Sequence, residues 1–163
     1  FIGFAGEEFG LLGAQAWVKA HKDKLPKIAN LFNRDGGPEP PVGISVPQAM
    51  YDDFVKISEP IQKIRPDYPF EVKVREPRKR PTRMGGTDAS VFAIEGVPTL
   101  GFTTEDFKGY DFDYGEIWHT ERDLYTKNIP EYQEHTATVT AIIALGVANL
   151  DKQLSREGLY TEE

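Results

Sequence analysis

Two adjacent carboxylates, Glu7 and Glu8, are the first side chains in the sequence that could carry out chemistry. They follow an apolar segment, residues 1–4, that is typical of the end of a buried strand, and they precede a predicted helix over residues 10–20. In open α/β sheets, ligands bind beyond the carboxyl ends of the strands. One carboxylate at such a turn could hold a cation while its neighbour transfers a proton. The alternative is that both side chains only interact with the positive end of the helix dipole.

Asp35 and His119 also follow predicted strands. Asp35 lies in the segment FNRDGG after the predicted strand 28–32, and His119 follows the predicted strand 97–102 and a long loop. Because parallel strands end at the same rim of a sheet, we expect these side chains to converge with the two glutamates. Carboxylates and imidazole, without a thiolate, suit a cation such as zinc. The alternative is that Asp35 only forms a turn and His119 only lines a loop.

Four further side chains are candidates for the surroundings of the site: Asp88, Tyr114, Trp118 and Asp123. Asp88 could instead cap the helix that is predicted to follow it. Asp123 could cap a turn, or it could orient a metal ligand through a hydrogen bond. Tyr114 and Trp118 belong to a loop rich in aromatic residues, which could pack on itself or line a substrate pocket.

Hydrophobic periodicity predicts an alternation of strands and helices along the chain. The predicted strands span residues 1–4, 28–32, 42–46, 70–74 and 97–102, and the predicted helices span 10–20, 48–64, 87–96 and 130–153. This pattern predicts an α/β fold of three layers, α/β/α, with helices on both faces of a mostly parallel sheet, in a single domain over residues 1–163. The strand at 70–74 alternates with charged residues and should lie at an edge. His21 and His135 are expected on exposed helix surfaces and are assigned no function.

The composition excludes several classes of function. The formal net charge of −7 argues against nucleic acid as a partner, since phosphate-binding surfaces need excess positive charge, and the basic run at residues 75–83 is interpreted as a solvated loop. No cysteine occurs, so disulfides, thiolate metal sites and cysteine nucleophiles are excluded. The most apolar stretch, residues 137–150, is too short to cross a bilayer. Since Phe1 lies within an apparent strand, we expect the chain to be the later part of a longer protein.

Four motifs taken together resemble one family. These are FAGEEFGLLG at the start, FNRDGG, GGTDASVFAIEGVPTLGF, and WHTERD before the last predicted helix. In this order and at this spacing they resemble the M28 family of zinc-dependent exopeptidases, which includes bacterial aminopeptidases, carboxypeptidase Q-like enzymes and glutaminyl cyclases. The resemblance extends from the first residue to about residue 150.

The resemblance implies a role for each residue of the predicted site. It implies that Glu7 is the general base, that Glu8 and His119 bind one zinc ion, and that Asp35 binds the other. The family's first histidine–aspartate motif and its bridging aspartate lie upstream of the GEE strand, and no part of this chain supplies them. We therefore expect the C-terminal part of a catalytic domain, inactive by itself, with two zinc ions in the parent protein and one or none in this chain. Ala89 replaces a common family histidine that does not bind zinc, which indicates a subgroup.

Three alternatives to an exopeptidase acting on peptide ends remain open. A single-zinc acyltransferase resembling glutaminyl cyclases is favoured by the sequence Trp118-His119-Thr120. A second alternative is a non-catalytic domain that retains the fold. A third is a generic α/β domain that binds magnesium and a phosphorylated ligand, although the chain has no GxxxxGK phosphate loop. The resemblance favours a secreted or periplasmic protein, and the sequence does not indicate an oligomeric state.

Overall fold

A computed structural model describes residues 1–161 of the 163-residue chain. Within this range five α-helices and three strands confirm the predicted α/β class. The helices are α1 Leu12–Ala20, α2 Tyr51–Ile64, α3 Ala89–Ile94, α4 Tyr114–Ile117 and α5 Pro130–Ala148. The strands are β1 Pro41–Val46, β2 Glu71–Val74 and β3 Phe102–Thr104.

The three strands form a small open sheet in the order β2-β1-β3. β1 is parallel to β2 and antiparallel to β3, and Ile44 of β1 is aligned with Val72 on one side and Phe102 on the other. Ile44 and Val46 are buried, as expected for a central strand. β2 lies at an edge with largely exposed side chains, which confirms the prediction for residues 70–74.

Three of the predicted strands are corrected. Residues 1–4 and 28–32 form no strand, and the segment predicted at 97–102 becomes a strand only from Phe102 onward. Segments 28–32 and 97–102 still lie side by side, because the side-chain amide of Asn30 accepts the Leu100 N–H (2.8 Å) and donates to its carbonyl (3.1 Å). One backbone hydrogen bond also joins the two segments, from the Leu31 N–H to the Pro98 carbonyl (2.9 Å), and beside it the Asn30 amide makes the bonds that a backbone ladder would make in a strand. The sheet therefore contains one parallel and one antiparallel pair within the described residues.

The first hydrophobic cluster lies between the sheet and helices α2 and α5. Its buried residues on these helices recur at helical spacing: Phe54, Ile57 and Ile61 on α2, and Val139, Ile143 and Val147 on α5. They pack on the face of β1 that carries Ile44 and Val46. Gly146 permits the close approach of the two helices, since a Cβ atom there would overlap the side chain of Ile57. None of the helices within residues 1–161 is both long and apolar enough to span a membrane.

The second hydrophobic cluster is formed by α1 and α3. It contains Leu11, Ala14, Val18, Leu25, Val91, Phe92 and Val97. The rings of Phe4 and Trp17 pack against Phe92, with centroids 5.8 and 5.5 Å away. α3 ends before Gly96, whose φ of 76° is typical of a helix stop, as predicted.

Both histidines assigned to exposed helix surfaces have specific environments instead. His135 is fully buried, because its ring stacks on Tyr68 at 3.9 Å and its Nε2 lies 2.9 Å from the carbonyl oxygen of Pro41. His21 is half-buried and stacks on Trp17 at 4.5 Å. Neither ring is exposed as expected, because each packs against an aromatic side chain.

A C-terminal segment, residues 150–160, follows α5 and joins the two clusters. The predicted helix 130–153 ends at Ala148, so this segment is not helical. Leu154 and Leu159 are buried in the first cluster. The guanidinium of Arg156 donates to the carbonyls around the second cluster, at 3.2–3.3 Å: Leu25, Pro26, Ile28 and Gly96.

Candidate active site

The two adjacent glutamates lie in a tight turn that immediately precedes α1. The Glu7 carbonyl accepts the N–H groups of Gly10 (3.0 Å) and Leu11 (2.8 Å). Gly10 has a φ of 102°, and Leu11 has a φ of 61° while its side chain is buried in the second cluster. Non-glycine residues rarely adopt such a φ value, and the burial of the Leu11 side chain stabilises it here. The resulting turn places Glu7 and Glu8 at the surface.

Asp35 lies in a second turn, which is stabilised by hydrogen bonds from the side chain of the neighbouring Arg34. The Arg34 guanidinium donates to the carbonyls of Gly37 and Glu39, and burial lowers the pKa of this guanidinium. The Glu39 carboxylate also accepts the Thr104 hydroxyl (3.2 Å), which ties the turn to β3. The carboxylate of Asp35 stays exposed at the tip of this turn.

His119 follows the short helix α4 and faces the first turn. Asp113 caps α4 by accepting the Gly115 N–H at 2.8 Å. His119 has a φ of 56°, and its ring lies 4.5 Å from that of Trp118. Its Nε2 atom is 3.0 Å from Oε1 of Glu8. The structure thus brings together two of the predicted metal ligands.

The three turns surround one open cleft of about 1640 Å³. All of the predicted site residues except Asp88 line it: Glu7, Glu8, Asp35, Tyr114, Trp118, His119 and Asp123. Asp88 does not line the cleft, although the preceding residues 84–87 do. Asp88 does not cap α3 with its side chain, contrary to that alternative.

The carboxylates around the cleft repel one another. Partial burial raises the pKa of Glu7, and the neighbouring charges of Asp35, Glu8 and Asp88 raise it further, whereas His119 lowers it. Burial and the charge of Asp35 also raise the pKa of Asp88, whose Oδ1 atom is buried and has no hydrogen-bond partner among residues 1–161. A carboxylate with a raised pKa is suited to act as a general base near neutral pH.

The donor set fits only part of a zinc site. Imidazole and carboxylate are suitable zinc ligands, and Glu8 and His119 are within hydrogen-bonding distance of each other. However, no group of three or more His, Cys, Asp or Glu side chains within residues 1–161 is placed to hold a metal ion. Catalytic zinc sites use three protein ligands. The described residues therefore do not form a complete site.

Comparison with known proteins decides the family. The model of peptidase family M28 matches residues 1–143. The chain belongs to peptidase family M28. A solved structure of a peptidase M28 precursor from Shewanella amazonensis SB2B is similar in fold, with a TM-score of 0.67 and 24% sequence identity over 93% of the M28 chain. The M28 chain covers 31% of that relative's length. No curated protein matches the M28 chain.

Membership confirms the family indicated by the four sequence motifs. The matched residues include all eight of the predicted site residues.

Sequence reasoning missed several residues that line the cleft of the M28 chain. Arg34 is adjacent to Asp35, so its position in FNRDGG was a usable signal. A further group of missed residues lies on or before α5: Lys127, Asn128, Gln133, Thr136, Ala137, Thr140 and Ala141. Those on α5 recur three or four residues apart and therefore share one face of the helix. The sequence predicted this helix but not that one of its faces borders the cleft.

Proposed function

We propose that this chain supplies the general base and some of the metal ligands of a zinc-dependent exopeptidase, and that this exopeptidase is an aminopeptidase. The observation that carries the proposal is the 3.0 Å approach of His119 Nε2 to Glu8 Oε1 at the cleft where Glu7 also lies. An imidazole and a carboxylate from distant parts of the chain meet there, next to a second carboxylate. Metal-assisted hydrolysis uses imidazole and carboxylate as metal ligands and a further carboxylate as the proton acceptor.

Four residues of the cleft would bind zinc or transfer a proton in this proposal. Glu8 and His119 would hold one zinc ion, and Asp35 would hold a second. Zinc, when bound, polarises the substrate carbonyl and lowers the pKa of water. The Glu7 carboxylate accepts a proton from the attacking water and later donates it to the leaving amine.

The surrounding residues have supporting roles. Tyr114 and Trp118 provide an aromatic wall for the peptide, with ring centroids 6.4 Å apart. Asp123 lines the same cleft, and the buried, unpartnered oxygen of Asp88 lies beside it, so both could orient ligands through hydrogen bonds.

A single-zinc acyltransferase of the glutaminyl cyclase type is the second candidate. One observation favours it. Within residues 1–161, Glu8 and His119 are the only two predicted metal ligands that lie within hydrogen-bonding distance of each other. Two zinc ions per full-length protein would favour the peptidase. One zinc ion and cyclisation of an N-terminal glutamine would favour the cyclase.

The proposal is tested by Glu7→Gln in the full-length protein. We expect zinc content to stay unchanged while turnover of peptides falls by about 10²–10⁴-fold, because the proton acceptor is lost and the ligands are not. Glu121→Gln is the matched control, since Glu121 is exposed and does not line the cleft. Retained turnover in Glu7→Gln would refute the assignment of Glu7. A secreted or periplasmic location stays a prediction, which cell fractionation would test.

A further inference from the structure

Tyr132 connects the first turn of α5 to the loop that leads into the cleft. Its side chain is fully buried. Its hydroxyl nevertheless donates to Asp106 Oδ1 (2.6 Å) and accepts the backbone N–H of Lys108 (2.8 Å). Burial, and then the bond to Asp106, raise the pKa of Tyr132 to about 12. A buried hydroxyl with both of its hydrogen bonds satisfied fixes the position of both partners.

The Asp106 carboxylate also organises the loop itself. It accepts the N–H of Tyr110 on Oδ1 (3.0 Å) and that of Asp111 on Oδ2 (2.8 Å). These bonds close a turn in which Gly109 and Asp111 have φ values of 70° and 57°. One carboxylate therefore joins α5 to this turn and helps to hold the strained backbone conformation of Asp111.

A second set of contacts surrounds this hydroxyl and carboxylate. The Lys108 ammonium lies 3.2 Å from both Asp67 Oδ2 and Glu131 Oε2, and it also lies over the ring of Tyr68. The hydroxyl of Tyr110 donates to the other oxygen of Glu131. These groups are more exposed, so we expect them to contribute less than the buried hydroxyl. We call Asp106, Lys108, Tyr110, Glu131 and Tyr132 the loop anchor.

The far end of the anchored loop contacts two parts of the cleft. Phe112 and Tyr114 pack on Gly37, so closely that a Cβ atom there would lie 2.7 Å from the ring of Phe112. Gly37 is two residues from Asp35. After α4 the same segment continues into Trp118 and His119. The loop therefore lies between the loop anchor on one side and Asp35, His119 and Glu8 on the other.

We propose that Asp106 and Tyr132 are positioning residues for the active site. Neither lines the cleft. Through the loop they set the distance between His119 and Glu8 and the approach of Phe112 and Tyr114 to the Asp35 turn. The consequence for catalysis depends on the proposed function, whereas the positioning itself does not.

The experiment measures hydrogen exchange by mass spectrometry in the full-length protein carrying Tyr132→Phe. We expect amides of residues 106–120 to exchange about tenfold faster, the change expected when a hydrogen bond to a charged group is lost. Amides of α2 should change much less. Tyr160→Phe is the matched control, because its hydroxyl donates to the Ala93 carbonyl far from this loop.

Two outcomes would overturn the proposal. One is unchanged exchange of residues 106–120 in Tyr132→Phe. The other is an equal acceleration in this loop and in α2, because that would be a general loss of stability with no effect on position. Asp106→Asn provides a second variant. It keeps one oxygen for the Tyr132 hydroxyl and the Tyr110 N–H but places an amide NH2 opposite the Asp111 N–H, so it should accelerate exchange of the same segment at least as much.

Turnover separates the two proposals. If the full-length protein is a peptidase, Tyr132→Phe should lower kcat by about tenfold or more, because small displacements of catalytic groups are costly. If the wild-type protein hydrolyses no peptide, the proposed function fails, while the exchange experiment still decides the positioning role.

Discussion

The imidazole Nε2 of His119 lies 3.0 Å from the carboxylate Oε1 of Glu8, although 111 residues separate them. Neither residue belongs to a strand of the sheet: Glu8 lies in the turn before α1, and His119 lies in the turn after α4. Their approach is therefore set by two turns, each of which contains a non-glycine residue with a left-handed backbone conformation: Leu11 in the first and His119 itself in the second. The site depends on these turns as much as on the sheet.

The first prediction concerns zinc. We expect the 163-residue chain to bind zinc weakly, because fewer than three ligands are brought together within residues 1–161. The double variant Glu8→Ala, His119→Ala should bind at least about tenfold more weakly still, since even the loss of groups outside the ligand shell costs 10–100-fold. Isothermal titration calorimetry measures both. Equal affinity in the two proteins would contradict the assignment of these ligands, and tight binding of one ion would favour the cyclase.

The second prediction concerns the contact between Gly37 and the loop. Gly37→Ala should lower the free energy of unfolding by about 1–3 kcal/mol, the usual cost of overpacking. The reason is that the new methyl group would lie 2.7 Å from the Phe112 ring and 3.0 Å from that of Tyr114. Urea denaturation measures this change. Gly86→Ala in the same cleft is the control, because no atom lies within 4 Å of its Cβ position. If both variants were equally stable, the close packing of the loop would be refuted.

The third prediction concerns stability at acidic pH. Burial lowers the pKa of His135 below its ordinary value of 6.5. The bond to the Pro41 carbonyl is the next largest cause and raises the pKa. The charges of Arg65 and Lys108 lower it, and that of Asp67 raises it. The folded protein therefore binds fewer protons at this site than the unfolded chain does. The contribution of His135 to stability is present above pH 6.5 and is lost as the pH falls below that value.

The measurement for this prediction is urea denaturation at several pH values on either side of 6.5, in the wild type and in His135→Phe. Phenylalanine can keep the stacking on Tyr68 but loses the bond to Pro41. We expect the variant to be less stable at neutral pH and to show a flatter decrease on acidification. The same slope in both proteins would show that another group causes the pH dependence.

The fourth prediction concerns Arg156. Arg156→Gln should lower the free energy of unfolding by about 1–2 kcal/mol, because a charged donor to several backbone carbonyls is lost at a partly exposed position. Thermal denaturation measures the change. Arg122→Gln is the control, since the Arg122 guanidinium makes no hydrogen bond or ion pair within residues 1–161. Equal melting temperatures for both variants would mean that the C-terminal segment does not hold the two clusters together.

The helices were predictable because local spacing determines them. Phe54, Ile57 and Ile61 recur three or four residues apart, and all three are buried on α2. Pro130 begins α5, as its position before an apolar run indicated. Ile64 shares the spacing of the α2 residues but is exposed, because the helix ends there. Spacing therefore gives the face of a helix more reliably than its end.

The strands were less predictable because a strand requires a partner. Residues 28–32 have the apolar character of a strand, yet they are joined to residues 98–100 by the backbone bond from Leu31 to Pro98 and by the Asn30 side chain, without a regular backbone ladder. No local pattern distinguishes a side-chain amide that does this from one that faces solvent. β1 was predicted within a residue, since both of its neighbours supply backbone partners.

The candidate site was partly predictable. The four motifs contain Glu7, Glu8, Asp35 and His119, and all four line one cleft. The loop anchor was not predictable, because the bond between Tyr132 and Asp106 joins residues 26 positions apart and neither belongs to a recognisable motif. The environment of His135 was missed for the same reason, since its partner Pro41 is 94 positions away.

The C-terminal segment has a consequence for synthesis of the protein. Every residue that lines the cleft precedes residue 142, and the ribosome releases all of them before Arg156 and Leu159. Until the segment emerges, the carbonyls of Leu25 and Gly96 lack their guanidinium donor and the first cluster lacks two of its leucines. Incompletely packed apolar surface is what chaperones and proteases recognise in nascent chains. The residues of the cleft are therefore synthesised before the segment that holds the two clusters together.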